Sequence, residues 1–341
     1  MQPLVSILIP NYNYSQYIDE CLQSAVNQTY KNLDIVILDN DSTDNSVQLC
    51  RKYKDKRIRL CVNQVNIISN SYRVLSESLC EGKYAILLCS DDSLEPEFIE
   101  KAVKIMEENQ NVSYVHGDRW WISPEGVKMP IDSFFKCSFV APGINVMPIY
   151  MVTTIAHPSS GVFRMETFRK IGGYDVENPI ANADKPLWFY LSFFGDYGYI
   201  RGHMSNIRIS GAQSQTSETI RCLQYMTLFY LDYVEFLNFA KFHNITGVLE
   251  RKGECMVRCS TDLFHFSCSL LLENDFVNAK RYFDFCRIIN PHIVKNVDFE
   301  KMYDMVISKR IDKEYIETLN PVVYGKKRSY EPPDGYVELE V

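Results

Sequence analysis

Long apolar runs are missing from this sequence of 341 residues, and none approaches the roughly 18 residues that a membrane-spanning helix needs. The first strand-like run already begins at Val5, so we expect no secretory leader with a charged and then an apolar segment. Eleven cysteines without such a leader are typical of reduced thiols rather than of a disulfide framework. These features predict a soluble, cytoplasmic protein.

Basic residues are also scarce, since 36 Lys and Arg face 43 Asp and Glu and give a net charge of −7. This balance argues against a nucleic-acid partner, which usually requires a basic face. A glycine-rich phosphate loop is absent as well, because Pro10–Asn13 after the first strand has neither glycine nor a basic residue. That absence argues against a nucleotidyltransferase and a dinucleotide-dependent dehydrogenase. A diphosphate ligand is not excluded, because a bound metal can supply positive charge.

Short apolar runs alternate with amphipathic stretches up to about residue 116. The runs are Val5–Ile9, Leu33–Leu38, Ile58–Val62, Tyr84–Leu88 and Val112–Val115. This alternation predicts an α/β fold with a mostly parallel central sheet and helices on both faces. Ligands of such sheets bind at the carboxyl ends of the strands. We therefore expect the loops at Pro10–Asn13, Asp39–Asp44 and Asp91–Asp92 to converge on one crevice.

The pattern changes after Trp120 and again near Gln215. Ser123–Gly126 predicts a β-turn, and helices are predicted over 166–171 and 185–194. Helical stripes dominate beyond residue 215, over 221–242, 251–273, 275–289 and 299–308, before an extended tail. We predict a catalytic domain over 1–215 and a helical C-terminal region over 216–341. Its apolar stripe must bury against the catalytic domain or a second copy of the chain, so a homo-oligomer stays open.

Asp91 and Asp92 are adjacent carboxylates at the end of a buried strand. Like charges repel, so the pair is poorly placed to stabilise a fold but well placed to hold a divalent cation against a diphosphate. The alternative is that they open a loop and cap the next helix.

The segment from Val5 to Ser46 resembles the first two strands and loops of family-2 glycosyltransferases over about forty positions, far more than a lone glycine motif offers. The resemblance extends over roughly the first 210 residues and implies the GT-A fold, a Rossmann-like arrangement. It further implies an inverting transferase that moves a sugar from a nucleotide-diphosphate sugar, most often a UDP-sugar, to an acceptor hydroxyl by single displacement. A bacterial surface glycan, often lipid-linked, is the commonest acceptor among similar proteins, which implies a role in polysaccharide biosynthesis.

The resemblance also assigns residues to the donor. Pro10, Tyr12 and Asn13 correspond to the loop that packs around the base, and Asp39 to the acid that accepts a hydrogen bond from the uracil ring N–H. Arg73 matches an arginine near the nucleotide, although a solvated helical arginine fits equally well. From the residues alone, Ser42 and Asp44 are expected to cap the following helix, over 45–53.

Two departures bear on the Mn²⁺ or Mg²⁺ ion that the family uses. Many relatives read Asp-x-Asp-Asp, whereas Cys89 occupies the first position here and a thiol is a poor ligand for these ions. Asp91 and Asp92 would therefore divide the ribose and metal contacts between them. Many relatives also have a histidine near Ser210, for which His203 is the available substitute.

Asp184 is the position that corresponds to the catalytic base of the family, with Ala183 in place of a common glutamate. An acceptor hydroxyl is a weak nucleophile at neutral pH, so a carboxylate must take its proton. As an alternative or an added role, Asp184 begins a helix with Pro186 in its first turn.

Trp120, Trp121 and His157 are the candidate residues on the acceptor side, although a partly buried structural histidine is an equal interpretation of His157. The expected acceptor is a glycan or a lipid-linked glycan, which leaves peripheral contact with the inner face of a membrane open. Cys89, Ala183 and Ser210 also permit a different interpretation, a degenerate GT-A protein that binds nucleotide sugars or serves as a scaffold.

Overall fold

The computed structural model describes residues 2–67, 79–129, 131–173, 184–209, 223–319 and 330–341. The chain forms two compact units: Met1–Tyr150, Thr154–Ser210 and Gly325–Val341 make the first, and Met151–Thr153 with Gly211–Tyr324 make the second. The sequence predicts one C-terminal region over 216–341, helical with an extended tail. The structure instead returns the last residues to the first unit, because the final strand pairs within its sheet.

A single sheet runs through the first unit in the order β11-β8-β10-β6-β9-β4-β1-β2-β3, with β5 on β10 and β7 on β6. Strands β3, β2, β1 and β4 are parallel neighbours, as are β6 and β10, while β9 and β8 run antiparallel to theirs. The strands are β1 Val5–Asn11, β2 Leu33–Asp39, β3 Ile58–Val62, β4 Tyr84–Leu87, β5 Ser93–Leu94, β6 Val112–Ile122, β7 Lys128–Met129, β8 Phe139–Ala141, β9 Gly161–Arg164, β10 Asp196–Arg208 and β11 Val337–Glu338. The mostly parallel α/β sheet predicted from the sequence is confirmed.

Helices cover both faces of this sheet. They are α1 Ile18–Val26, α2 Ser46–Cys50, α3 Phe98–Glu108, α4 Met147–Tyr150, α5 Met165–Lys170 and α6 Asp184–Phe194. The apolar stripes of α1 and α3 are buried against the side chains of β1, β2 and β4 that point to one face. On the other face, Trp188 of α6 packs against Tyr114 of β6 with ring centroids 5.2 Å apart.

Two long strands extend the sheet beyond the prediction. The sequence predicts a strand only over Val112–Val115, but β6 continues to Ile122, where the expected turn at Ser123–Gly126 follows with φ of +87° at Gly126. Strand β10 was not predicted at all. Its residues pair with β6 along nearly its whole length, with irregular register near Gly202.

The second unit is helical in its described residues. Its helices are α7 Gln224–Phe242, α8 Thr246–Glu250, α9 Lys252–Leu272, α10 Phe276–Ile289, α11 Val297–Ser308 and α12 Lys313–Leu319. Most of these bounds lie within a few residues of the predicted stripes. Within the described residues, no helix combines the length and the apolar character that crossing a membrane requires.

Candidate active site

The loops after β1 and β2 are joined by buried polar contacts. Asn11 Nδ2 donates to Asp39 Oδ2 at 2.7 Å, and the Ser42 backbone N–H donates to Asp39 Oδ1 at 2.9 Å. Asp39, the predicted base-binding acid, is fully buried. Pro10 is half-buried, while Tyr12 is 41% exposed and available to a ligand. The structure therefore brings the predicted base-binding residues together, with Asp39 beneath the loop rather than on its surface.

Asn13 braces the same two loops. It adopts a left-handed conformation with φ of +57°, which asparagine tolerates better than most residues. Its Oδ1 accepts the Thr43 backbone N–H at 2.8 Å, and its own N–H donates to Ser42 Oγ at 2.9 Å. The expected helix cap at Ser42 is therefore wrong, because this hydroxyl serves the β1 loop instead. Asp44 lies one residue before the N-cap Asn45, and its Oδ1 accepts the Ser46 N–H, the first N–H of α2, at 2.9 Å.

Asn40 anchors the loop that follows β3. Its Nδ2 donates to Asn66 Oδ1 at 2.6 Å and to the Ile67 carbonyl at 2.9 Å, while its Oδ1 accepts from Asn63 Nδ2 and the Ile67 N–H, each at 2.9 Å. Both ends of this amide are thus satisfied beside Asp39. Arg73, assigned to the nucleotide from the sequence, lies outside the described residues.

The acid pair after β4 divides into a buried and a more exposed member. Asp92 is 2% exposed, and its Oδ2 accepts Ser159 Oγ–H at 2.6 Å while its Oδ1 accepts the Arg208 backbone N–H at 2.8 Å. Asp91 is half-buried. Burial, followed by the charge of Asp91, raises the pKa of Asp92 to about 8, against the opposing effect of its hydrogen bonds.

His157 lies beside this pair and is neutral. Its Nδ1 accepts the Ser159 N–H at 3.3 Å and lies 3.8 Å from Asp92 Oδ2. Burial, and then the charge of Arg119, lower the pKa of His157 to about 3. The contact with Asp92 is therefore not an ion pair, since Nδ1 carries no proton when it acts as an acceptor. The side chain keeps 26% of its surface exposed.

Arg119 was not anticipated from the sequence, although a charged residue inside a buried strand was a usable signal. Its guanidinium donates from Nη1 to the Ile155 carbonyl at 2.7 Å and lies 5.1 Å from the Trp121 ring centroid. Burial lowers the pKa of Arg119 to about 10, while Asp118, Asp184 and Asp92 oppose that shift.

The two tryptophans have different surroundings. The Trp121 ring lies beside the Arg119 guanidinium. Trp120 instead stacks on His203, with ring centroids 3.7 Å apart and an interplanar angle of 12°. His203 Nε2 also lies 3.3 Å from the Ile131 carbonyl. His203, proposed from the sequence as a substitute metal ligand, is therefore occupied by an aromatic stack, and Ser210 lies outside the described residues.

Asp184 begins α6 and is half-buried, with Pro186 in the first turn as expected. Burial, the charges of Asp92 and Asp91 and, to a smaller extent, the charge of Asp184 raise the pKa of Cys89. The charge of Asp184 also opposes the lowering of the Arg119 pKa. Burial raises the pKa of Asp184, although the charges of Lys185 and Arg119 lower it. Ala183 and the residues before it back to 174 lie outside the described residues.

The donor set for a cation is small. Within the described ranges, no three His, Cys, Asp or Glu side chains are grouped as a metal site. One or two carboxylates are nevertheless enough for Mg²⁺ when substrate phosphates complete the coordination. Asp91, the more exposed of the two acids, fits that requirement better than Asp92, which is only 2% exposed.

Comparison with known proteins gives a consistent picture. Residues 6–172 match the model of the family "Glycosyl transferase family 2". The chain is 36% identical to chondroitin synthase from Escherichia coli over 207 residues, which cover 58% of this chain and 28% of that protein. It spans about a third of the length of the curated relatives it matches first.

Solved structures share the fold at low identity. The S. aureus TarS 1-349 structure in complex with UDP-GlcNAc superposes with a TM-score of 0.60 and 18% identity, covering 93% of this chain and 90% of that one. The mannosyltransferase PcManGT from Pyrobaculum calidifontis, in complex with GDP-Man and Mn²⁺, gives a TM-score of 0.53 and 13% identity over 94% of this chain and 84% of that one. The GT-A fold expected from the sequence is confirmed.

Proposed function

We propose that this chain, which belongs to glycosyltransferase family 2, transfers a sugar from a nucleotide sugar to an acceptor hydroxyl by single displacement with inversion. The observation that carries the proposal is the convergence of the loops after β1, β2 and β4, which bring Asp39 and the Asp91–Asp92 pair to one edge of the sheet. Asp39 and the pair lie at carboxyl ends of parallel strands, and the charge of Asp184 acts on Cys89 beside the pair.

Asp184 is the proposed general base. In an inverting displacement the acceptor oxygen attacks the anomeric carbon from the face opposite the leaving diphosphate, and its proton must leave as the bond forms. Burial raises the pKa of Asp184, which makes the carboxylate a stronger base than an exposed aspartate. Its position at the start of α6 supports the ionised form through the helix dipole.

UDP is the proposed carrier of the donor sugar. An ionised aspartate is an acceptor only, and Asp39 has lone pairs beyond those used by Asn11 and Ser42. Because the β1 loop covers Asp39, it would receive the imide N–H of a uracil ring after that loop moves on binding. Tyr12, exposed on the same loop, offers a ring on which a base can stack. Crystallised TarS 1-349 binds UDP-GlcNAc, which supports the same donor class here.

Asp91 is the proposed metal ligand, and Asp92 is proposed to hold the loop after β4 in position. A bound Mn²⁺ or Mg²⁺ would offset the charge that gathers on the leaving diphosphate. The Mn²⁺ in the PcManGT complex supports this class of ion. Asp92 is better suited to positioning, because Ser159 and Arg208 already occupy its carboxylate.

The acceptor is proposed to be a glycan or lipid-linked glycan of a bacterial surface polysaccharide. Chondroitin synthase among the relatives supports a polysaccharide product. His157 and Trp121 remain the proposed acceptor contacts, the first through its exposed edge and the second beside Arg119. Trp120 is the weaker candidate, since its ring already stacks on His203.

A thermal-shift screen of nucleotide sugars with Mn²⁺ tests the proposal. A ligand at a hundred times its dissociation constant stabilises the folded state by about 2.7 kcal/mol, enough to rank donors. We expect UDP-sugars to raise the melting temperature more than GDP-sugars. A protein that served only as a scaffold would not hydrolyse the stabilising donor. Slow, metal-dependent hydrolysis of that donor would therefore distinguish a transferase from a scaffold.

A further inference from the structure

Arg208 ends β10 and contacts three other parts of the chain. Its Nε donates to the Asp91 carbonyl at 2.9 Å, and its Nη1 donates to the Ser123 and Pro124 carbonyls at 3.0 and 2.9 Å. Its Nη2 donates to Glu20 Oε2 at 2.5 Å. A guanidinium has five N–H donors in a fixed plane, so these contacts specify its orientation closely.

The guanidinium also rests on an aromatic ring. It lies 4.4 Å from the centroid of Tyr17, immediately before α1, and the residue is only 7% exposed. Such stacking adds to the hydrogen bonds, because an arginine plane packs on aromatic faces as an ammonium group does not. The loop after β4 is therefore tied through Arg208 to α1 and to the turn after β6.

Both members of the acid pair are held from this one residue. The side chain of Arg208 binds the main chain of Asp91, and its backbone N–H donates to the Asp92 carboxylate at 2.8 Å. Ser159 Oγ–H also donates a hydrogen bond to the Asp92 carboxylate, at 2.6 Å. A small displacement of Arg208 would therefore shift the main chain of one acid and the side chain of the other.

We propose that Arg208 is a positioning residue that sets the acid pair in the arrangement required to bind a cation and a diphosphate together. The inference rests on the proposed function, since it assumes that Asp91 serves a metal and a nucleotide. Arg208 does not contact the reacting atoms in this role. Its side chain fixes the main chain of Asp91, which lysine cannot do in the same way because an ammonium group lacks the planar fork. Its backbone N–H to the Asp92 carboxylate is retained in any variant.

Arg164 offers a matched control. It is also 7% exposed, donates to two backbone carbonyls, those of Val112 and Met106, and lies 5.2 Å from the Tyr84 ring centroid. It pairs with Tyr84 at the start of β4, however, whereas the acid pair follows the end of that strand. Replacing either arginine removes a buried guanidinium, but only Arg208 touches the acid pair.

Calorimetric titration of UDP, with and without Mn²⁺, tests the inference in wild type, Arg208→Lys, Arg208→Gln and Arg164→Lys. We expect both lysine variants to lower the melting temperature. Arg208→Lys should weaken UDP binding in Mn²⁺ by about tenfold, the effect of one or two misplaced charge-assisted contacts. It should also shrink the gain in affinity that Mn²⁺ confers, whereas Arg164→Lys should leave both within about twofold of wild type.

The inference would be overturned if an Arg208 variant that folds bound UDP with wild-type affinity and showed the wild-type gain in affinity from Mn²⁺. Equal losses of UDP affinity in the Arg208 and Arg164 variants would also overturn it. A wild-type protein that binds no UDP, with or without Mn²⁺, is a separate result. It would contradict the proposed donor itself and remove the basis of the inference with it.

Discussion

Proton transfer rests on one side chain, Asp184. Asp184→Asn retains the size and hydrogen-bonding capacity of the side chain at the start of α6 but cannot accept the proton of the acceptor hydroxyl. We expect kcat to fall by roughly two to four orders of magnitude, the usual scale for a lost general base, with donor affinity nearly unchanged.

Steady-state kinetics together with UDP titration measure this prediction. Asp304→Asn on α11 is the control, because this aspartate is exposed in the helical unit and should show wild-type kcat. A near-wild-type kcat in Asp184→Asn would move the base elsewhere, with Asp175, outside the described residues, next to test.

The two acids after β4 should respond differently to the same substitution. Asn at position 92 can still accept the Arg208 N–H and can donate to Ser159 Oγ, so Asp92→Asn should keep much of the loop geometry. Asp91→Asn removes the proposed metal ligand and should abolish the gain in UDP affinity from Mn²⁺. Calorimetry on both variants measures this, and loss of the metal gain in Asp92→Asn alone would reverse the assignment.

Burial of His116 should make the free energy of unfolding depend on pH. It is fully buried, with Nδ1 3.0 Å from the Gly117 carbonyl and Nε2 2.6 Å from Tyr197 Oη, and burial lowers its pKa to about 3. An unfolded histidine has a pKa near 6.5. Because the folded pKa is depressed, this contribution to stability is present above pH 6.5 and is lost as pH falls toward 3.

Urea unfolding at pH 7 and pH 5 measures the effect. The loss attributable to His116 should be about 2 kcal/mol, from about 1.4 kcal/mol for each pH unit below 6.5. His116→Gln should reduce the pH dependence by about that amount and leave the part due to His157, whose pKa is also lowered. His292→Gln, at an exposed position, should leave the whole dependence intact. An unchanged slope in the His116 variant would show that other groups control acid stability.

At the scale of elements, the C-terminal strand completes the sheet edge. Strand β11 pairs with β8, the Leu339 N–H donates to the Ser138 carbonyl at 2.9 Å, and the Leu339 side chain packs against the core, whereas Val337 is 65% exposed. Leu339→Asp should destabilise the protein by about 1–3 kcal/mol, while Val337→Asp should stay within about 0.5 kcal/mol. Urea unfolding compares them, and equal effects would mean that the tail contributes little to the sheet.

Local sequence patterns predicted most strands and helices, because the apolar residues within each of these segments recur with one consistent period. The runs at Val5 and Ile58 and the stripe of α3 are of this kind, and their structure follows the prediction closely. Strand β10 was missed because glycines and charged residues interrupt its alternation, and its register on β6 is irregular. Its pairing is supplied by a partner distant in the sequence, which no local window contains.

The site was only partly visible for the same reason. Asp91, Asp92 and Asp184 were predicted from motif positions, but the contacts of Ser159 and Arg208 with the acid pair join segments distant in the sequence. The division of the acid pair into a buried and a more exposed member likewise comes from packing. The sequence shows only that both residues are aspartates, whereas their difference in burial distinguishes their environments.

At the scale of the whole molecule, we propose that the first unit supplies the chemistry and the helical unit supports stability, acceptor binding or assembly. Every acid assigned to chemistry precedes residue 215. The helical unit has a buried core of its own around Tyr233, Phe236 and Leu263, and exposes Phe242 at 81%. Homo-oligomerisation and peripheral membrane contact remain proposals for this unit and the chain as a whole.

The most direct test of the account is the configuration of the sugar first released when the protein slowly hydrolyses an α-linked UDP-sugar in Mn²⁺, followed by proton NMR before mutarotation. Single displacement with Asp184 as the base predicts the β anomer, because water then attacks from the face opposite the diphosphate. Release should be much slower in Asp184→Asn. Initial release of the α anomer, or release at an undiminished rate in that variant, would contradict the mechanism.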